Sequence, residues 1–128
     1  MIINDPETIA EVEAALSVYE RALAENDVAA LDAIFWDNDQ TVRFGADETL
    51  IGADAIKSYR GTRARTGSER AVLRTVISAF GDGAATVSIV FRREGAADRT
   101  GRWTQTWIKF ADGWHIVAAH VSSIDSSS

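Results

Sequence analysis

Gly101 to Ser122 reads GRWTQTWIKFADGWHIVAAHVS, two alternating β-strand patterns that meet at Asp112-Gly113. Asp-Gly between alternating runs is the strongest short-range hairpin signal in a single sequence. A two-residue turn at that dipeptide sets Ala111 opposite Trp114. Trp103, Gln105, Trp107 and Lys109 then share one face with Ser122, His120, Ala118 and Ile116, which puts Gln105 beside His120 and Trp103 beside Ser122. The other face carries Thr104, Thr106, Ile108 and Phe110 against Val121, Ala119, Val117 and His115. Hydrogen-bonding groups set among indoles suit the wall of a ligand pocket. A Gln–His pair satisfying itself in an ordinary sheet fits the same pattern, and both readings stay open here.

Two further strand patterns precede the hairpin, Ala71 to Phe80 and Ala84 to Arg93, joined by a turn at Gly81-Asp82-Gly83. Upstream the period changes from two to about 3.6. Asp5 reads as an N-cap with Pro6 at the first helical position, and the helix runs to about Glu25 with Ile9, Val12, Leu16, Tyr19 and Leu23 along its apolar stripe. Tyr19 therefore points inward and its hydroxyl needs a partner, for which a backbone carbonyl is the plain expectation. Asn26-Asp27 caps a shorter helix whose buried side is Val28, Leu31, Ile34 and Phe35. Gln40 to Phe44 alternates as a short strand in which Arg43 is solvated if Val42 and Phe44 face the core, and inward if they face away. A brief return strand, Glu48 to Ile51, leads to a third helix from Gly52-Ala53-Asp54, and Gly61 to Glu69 reads as a loop or rim carrying Arg63 and Arg65. Helices followed by a meander of long strands predict one α+β domain over residues 1–128, a curved sheet wrapped over helices, with a polar tail from Asp125 to Ser128 expected to fray.

Composition narrows the function classes. With 128 residues the chain suits one domain that buries about two thirds of its unfolded surface. The absence of cysteine removes disulfides, thiolate metal sites and a Cys nucleophile, and the two histidines, His115 and His120, fall on opposite faces of one strand. No metal or other cofactor is expected. Apolar runs too short to span a bilayer and a start, MIINDPETIA, unlike a signal peptide point to a cytoplasmic protein without a membrane partner. A net charge of −6 argues against nucleic acid. Yet Arg60, Arg63, Arg65, Arg70 and Arg74 fall close together, and a local arginine cluster in an acidic chain suits a small anionic ligand.

The order of elements, the Gly-x-x-Ala-Ile helix start at Gly52 and the closing Gly-Trp-x-Ile-Val-x-x-His-Val-Ser strand resemble the NTF2-like (SnoaL-like) superfamily, whose fold is a cone of three N-terminal helices in a curved, mostly antiparallel sheet. Phe35-Trp36-Asp37, Thr41-Val42-Arg43-Phe44-Gly45, Leu73-Arg74-Thr75-Val76, Gln105-Thr106-Trp107 and Trp114 to Ser122 look more narrowly like the AtzH-like family. That family is represented by a decarboxylating amidohydrolase of cyanuric acid degradation, which acts on urea-1,3-dicarboxylate, a carboxyurea. The resemblance implies a catalytic pair at Tyr19 and Arg43, moves Arg43 into the cavity, and implies a homodimer through the outer sheet face, there Thr104, Thr106, Val117 and Val121. Trp103 stands where the family pattern has a smaller polar residue, and Arg63-Ala64-Arg65 lacks a proline expected in that loop.

The chemistry so implied is metal-free acid–base hydrolysis. A guanidinium near Tyr19 would favour its phenolate, so Arg43 is expected both to activate Tyr19 and to hold a carboxylate or oxyanion. Tyr19 could then act as base or as acid. Arg63 or Arg65 would bind a second carboxylate, Gln105 and His120 the urea core, and Trp103 would narrow the pocket. The alternative is a non-catalytic carboxylate-binding module, accessory to an amidase partner. An isomerase of the cone type ranks last, because His120 lacks an inward carboxylate.

Overall fold

The computed structural model describes residues 1–62, 70–93, 95 and 97–126. Helix α1 (Pro6–Glu25) starts as its caps dictate: the Asp5 carboxylate accepts from the Thr8 N–H at 3.2 Å and Pro6 fills the first helical position. It ends at Asn26, whose left-handed backbone (φ 52°) a short polar residue tolerates. Asp27 then caps α2 (Val28–Ile34) by accepting from the Ala30 N–H at 3.1 Å. The Asn26-Asp27 pair thus divides its work, closing one helix and opening the next. After β1 (Val42–Phe44) and β2 (Thr49–Ile51) comes α3 (Ala53–Thr62), then β3 (Arg70–Phe80), β4 (Ala84–Arg93), β5 (Arg99–Phe110) and β6 (Gly113–Asp125).

The strands form one sheet in the order β2-β1-β6-β5-β4-β3, with β1 parallel to β6 and every other pairing antiparallel. Val12, Leu16, Tyr19 and Ala22 of α1 turn toward the inner sheet face, where they meet Val87, Ile89, Trp103, Trp107 and Ile116. Glu11 ties the helix across the hairpin, accepting from Trp114 Nε1 at 2.9 Å and pairing with Lys109 Nζ at 2.8 Å. Among the described residues no helix is long and apolar enough to cross a membrane.

The closing hairpin forms, but in another register. Phe110 pairs with Gly113 and Lys109 with Trp114, so Ala111 and Asp112 are the central turn residues. A two-residue turn centred on Asp112-Gly113 would need positive φ at both. Gly113 supplies it (φ 125°), while the only non-glycine residues with positive φ among those described are Asn4 and Asn26. This shift of two leaves the faces unchanged near the turn but changes the partners, so Trp107, expected opposite Ala118, pairs with Ile116 on the same face. The register then slips between Thr106 and Trp107, where β6 holds one extra residue, Val117: beyond it Gln105 pairs with Ala119, Thr104 with His120 and Trp103 with Val121. A one-residue slip turns every following side chain to the opposite face. His120 is accordingly exposed on the outer face, its ring edge-on to Phe44 at 5.8 Å, and it does not line the pocket with Gln105. Val121 packs against the core rather than facing outward, which removes it from the outer surface. Strand β6 also extends through Asp125, and Ser126 donates its N–H to Asp98 O at 2.8 Å, so the tail is ordered further than its polarity suggests.

Candidate functional site

Tyr19 occupies the middle of the inner chamber at 1% exposure. Its ring is met edge-on by Trp103, Trp107 and Phe35 at centroid distances of 5.7, 6.2 and 6.3 Å. Alternation along β5 places Gln105 between those two tryptophans, and its Oε1 accepts from Trp107 Nε1 at 2.8 Å. Burial pushes the Tyr19 phenol well above the ordinary tyrosine value; Arg43, Arg70 and Arg60, in that order, pull it down without overcoming burial. The balance runs against the expectation that Arg43 turns Tyr19 into a phenolate at neutral pH. A guanidinium near a phenol favours its anion, but a phenol cut off from water loses more than that charge returns. Burial thus favours the protonated phenol in the resting protein.

Arg43 is buried at 9% exposure, which resolves the choice its strand pattern left open. Its Nη1 donates to Glu48 Oε1 at 2.7 Å, and its guanidinium carbon lies 5.9 Å from the Tyr59 ring. Gly45 makes that pairing possible, because a Cβ there would fall 2.0 Å from Glu48 Oε1. Arg43 and Glu48 open onto a cavity of about 340 Å³ whose wall includes Tyr59, Phe91, Arg93 and Arg99.

Two further arginines surround the chamber. Arg70 Nη2 donates to both oxygens of Glu20 at 2.6 Å, and its guanidinium carbon lies 4.9 Å from the Trp103 ring and 4.8 Å from the Phe91 ring. Arg60 pairs with Asp32 and stacks 5.0 Å from the Phe35 ring. Both were visible in the sequence as members of the arginine cluster, but nothing there separated them from Arg63 and Arg65. Those two residues lie outside the described part of the chain, and Arg74 is exposed. Trp103 and Gln105 are buried on the inner face as expected, and His120 is not.

A second cavity, about 440 Å³, lies between α2, α3 and the hairpin turn, lined by Trp36, Phe110 and His115 with three aspartates. Each aspartate already has a partner: Asp32 pairs with Arg60, Asp37 with Lys57, and Asp112 lies at hydrogen-bond distance from His115 Nε2. Among the described residues no three side chains of His, Cys, Asp or Glu assemble as a metal ligand set.

Helices packed into one mouth of a curved six-stranded sheet, with an aromatic chamber between them, define an NTF2-like cone. An NTF2-like superfamily protein from Salmonella enterica has the same fold, at a TM-score of 0.77 and 19% identity over 96% of this chain and 95% of that one. The chain belongs to the AtzH-like family, whose model matches residues 1–127. Among solved structures it is similar to a protein of unknown function from Pectobacterium atrosepticum, with 45% identity, 96% and 95% of the two chains covered and a TM-score of 0.92. It is also similar to a cystatin-like fold protein from Burkholderia xenovorans, with 43% identity, 98% of each chain covered and a TM-score of 0.89. No curated protein matches.

Proposed function

We propose that this chain is a small-molecule amidohydrolase for a carboxylated urea such as urea-1,3-dicarboxylate, with Tyr19 as general acid and Arg43 as anion anchor. The observation that carries the proposal is the buried, protonated Tyr19 phenol within electrostatic reach of three guanidiniums. Removal of the carboxyl group from an N-carboxylated urea, a net hydrolysis once water hydrates the released carbon dioxide to hydrogencarbonate, breaks the bond between nitrogen and the carboxylate carbon and leaves the electron pair on nitrogen. That nitrogen takes the Tyr19 proton, and the phenolate formed is stabilised by Arg43, Arg70 and Arg60 until solvent returns a proton. Arg43 has five N–H donors and Glu48 engages one nitrogen, so a substrate carboxylate can share the same guanidinium. The outer face of β3, which exposes Val76 and Phe80, supports a homodimer as the working assembly.

The test is release of carbon dioxide from urea-1,3-dicarboxylate by the wild type, Tyr19→Phe and Arg43→Ala, each with folding checked by circular dichroism. The expected result is turnover by the wild type and a loss of about 100-fold or more in each variant. Equal rates in all three remove both roles. Binding without turnover in the wild type favours the accessory carboxylate-binding module, whose amidase partner would then be sought.

A further inference from the structure

One row of the sheet crosses the floor of the chamber. Arg43 of β1 pairs with Ala119 of β6, and Ala119 pairs with Gln105 of β5. All three point inward, at 9, 5 and 2% exposure. Two strand spacings put the Arg43 and Gln105 Cα atoms about 10 Å apart. Only the methyl group of Ala119 rises between them, so the row is high at both ends and low in the middle.

The Gln105 end has an unusual polarity. Gln105 Nε2, Trp103 Nε1 and Arg70 Nη1 are all buried without a hydrogen-bond partner. The orientation of the Gln105 amide is set by chemistry, since Trp107 Nε1 can only donate and so must meet the amide oxygen. Its NH₂ is thereby left over. Arg70 spends Nη2 on Glu20 while its guanidinium carbon lies 4.9 Å from the Trp103 ring, so an unpartnered Arg70 donor and the unpartnered indole N–H belong to the same cation–ring contact. The fourth unpartnered buried atom among the described residues, Arg92 Nε, alternates with inward Phe91 and belongs to the opposite face of β4. Every unpartnered buried polar atom among the described residues is therefore a donor, and three of the four belong to inward residues around Trp103: Trp103 itself, which meets the Tyr19 ring, Arg70 over its ring, and Gln105 two residues on along the same face of β5. Buried donors left unmade cost free energy, and natural interiors keep few of them unless a ligand completes them.

We propose that Arg70, Trp103 and Gln105 form a second oxygen-binding subsite, which takes the far carboxylate of a two-ended dianion whose near carboxylate rests on Arg43. This deepens the reading of Arg43 and Tyr19 given above and rests on it. Selectivity is then for a dicarboxylate that bridges the Ala119 gap, and Trp103 acts as a hydrogen-bond donor rather than as a plug.

Glutarate, a stable five-carbon dicarboxylate, and butyrate, its one-ended counterpart, serve as probes in isothermal titration of the full chain. Trp103→Phe keeps the ring and removes the N–H, while Gln105→Glu keeps the shape and adds a repelling charge. The wild type is expected to favour glutarate over butyrate, and that preference should fall about tenfold or more in each variant with thermal unfolding near the wild-type midpoint. Should one variant fail to fold, the other still decides. A wild type without preference for glutarate, or folded variants that retain it, overturns the subsite. Turnover of the carboxylated urea separates the two proposals. A glutarate preference that depends on Trp103 and Gln105 in a protein without turnover keeps the subsite and sinks the amidohydrolase; turnover with a preference indifferent to both residues does the reverse.

Discussion

The protonation state of Tyr19 decides whether it begins as acid or base, and stability measured against pH reads it directly. In the unfolded chain a tyrosine titrates near pH 10. In the folded chain burial raises that value, because the anion cannot be solvated among Trp103, Trp107 and Phe35. Above about pH 10 the unfolded state has released this proton and the folded state still holds it. The folded form therefore binds more protons, and stability falls as pH rises, by up to about 1.4 kcal/mol per pH unit. Below that pH both states are protonated and the contribution is fully present. Tyr19→Phe lacks the titration and keeps the three ring contacts. Among the described residues the Tyr19 hydroxyl makes no hydrogen bond that the substitution would break, so the two proteins should differ by about 1 kcal/mol or less at pH 7. Urea denaturation at pH 8, 9, 10 and 11 then gives the difference between them, in which the titrations they share cancel. It should be flat to about pH 9.5 and afterwards move against the wild type with a slope approaching 1.4 kcal/mol per unit. Parallel curves through pH 11 would refute the raised value. A difference that moves in favour of the wild type between pH 8 and 10 would mean that Arg43, Arg70 and Arg60 win over burial, and Tyr19 would return to the role of base.

Two glycines near the site give further checks. Gly45→Ala places a Cβ 2.0 Å from Glu48 Oε1, at the far end of a flexible side chain, so Glu48 moves off Arg43. The expected outcome is a stability loss of about 1–3 kcal/mol, because a buried guanidinium loses its carboxylate, together with a clear loss of turnover as Arg43 loses the group that aligns it; unchanged turnover on the carboxylated urea would show that Glu48 does not position Arg43. Gly101→Ala places a Cβ 2.3 Å from Phe91 Cζ, and that ring is buried at 2% exposure against Trp103 and Arg70. Overpacking should cost about 1–3 kcal/mol in urea denaturation, and an unshifted midpoint would refute the tightness of that contact.

Local chemistry was legible in the chain where one residue decides one feature. Asp5 and Pro6 start α1, Asp27 starts α2, and the stripe of Val12, Leu16 and Tyr19 fixes which side of α1 is buried. The register of the closing hairpin was not legible, because Asp-Gly serves either as the centre of a turn or as its last two positions, and only the backbone angles separate these. The extra residue at Val117 carries no signal of its own, since Val, Ala and Ala suit either face of a strand. Its consequence is large: it exchanges His120 for Ala119 beside Gln105. Arg43 shows the complementary limit. Alternation said only that it opposes Val42 and Phe44, whereas its burial depends on Glu48 and Tyr59, contacts that a periodic pattern does not encode.

The exchange of His120 for Ala119 also bears on the proposal that this acidic chain holds an anion. Its net charge of −6 repels anions at a distance, but salt screens that field within about 8 Å. Inside the cone the balance reverses. Among the described residues Arg43, Arg60 and Arg70 are each held by a single carboxylate, from Glu48, Asp32 and Glu20, and each lies over an aromatic ring, which lets a guanidinium be buried without being fully neutralised. A histidine at the midpoint of the row would fill the gap and add an acceptor or a titrating charge, whereas alanine does neither. On the proposed reading the ligand is an anion small enough to leave the screened outer field and enter the cone, as a short dicarboxylate is.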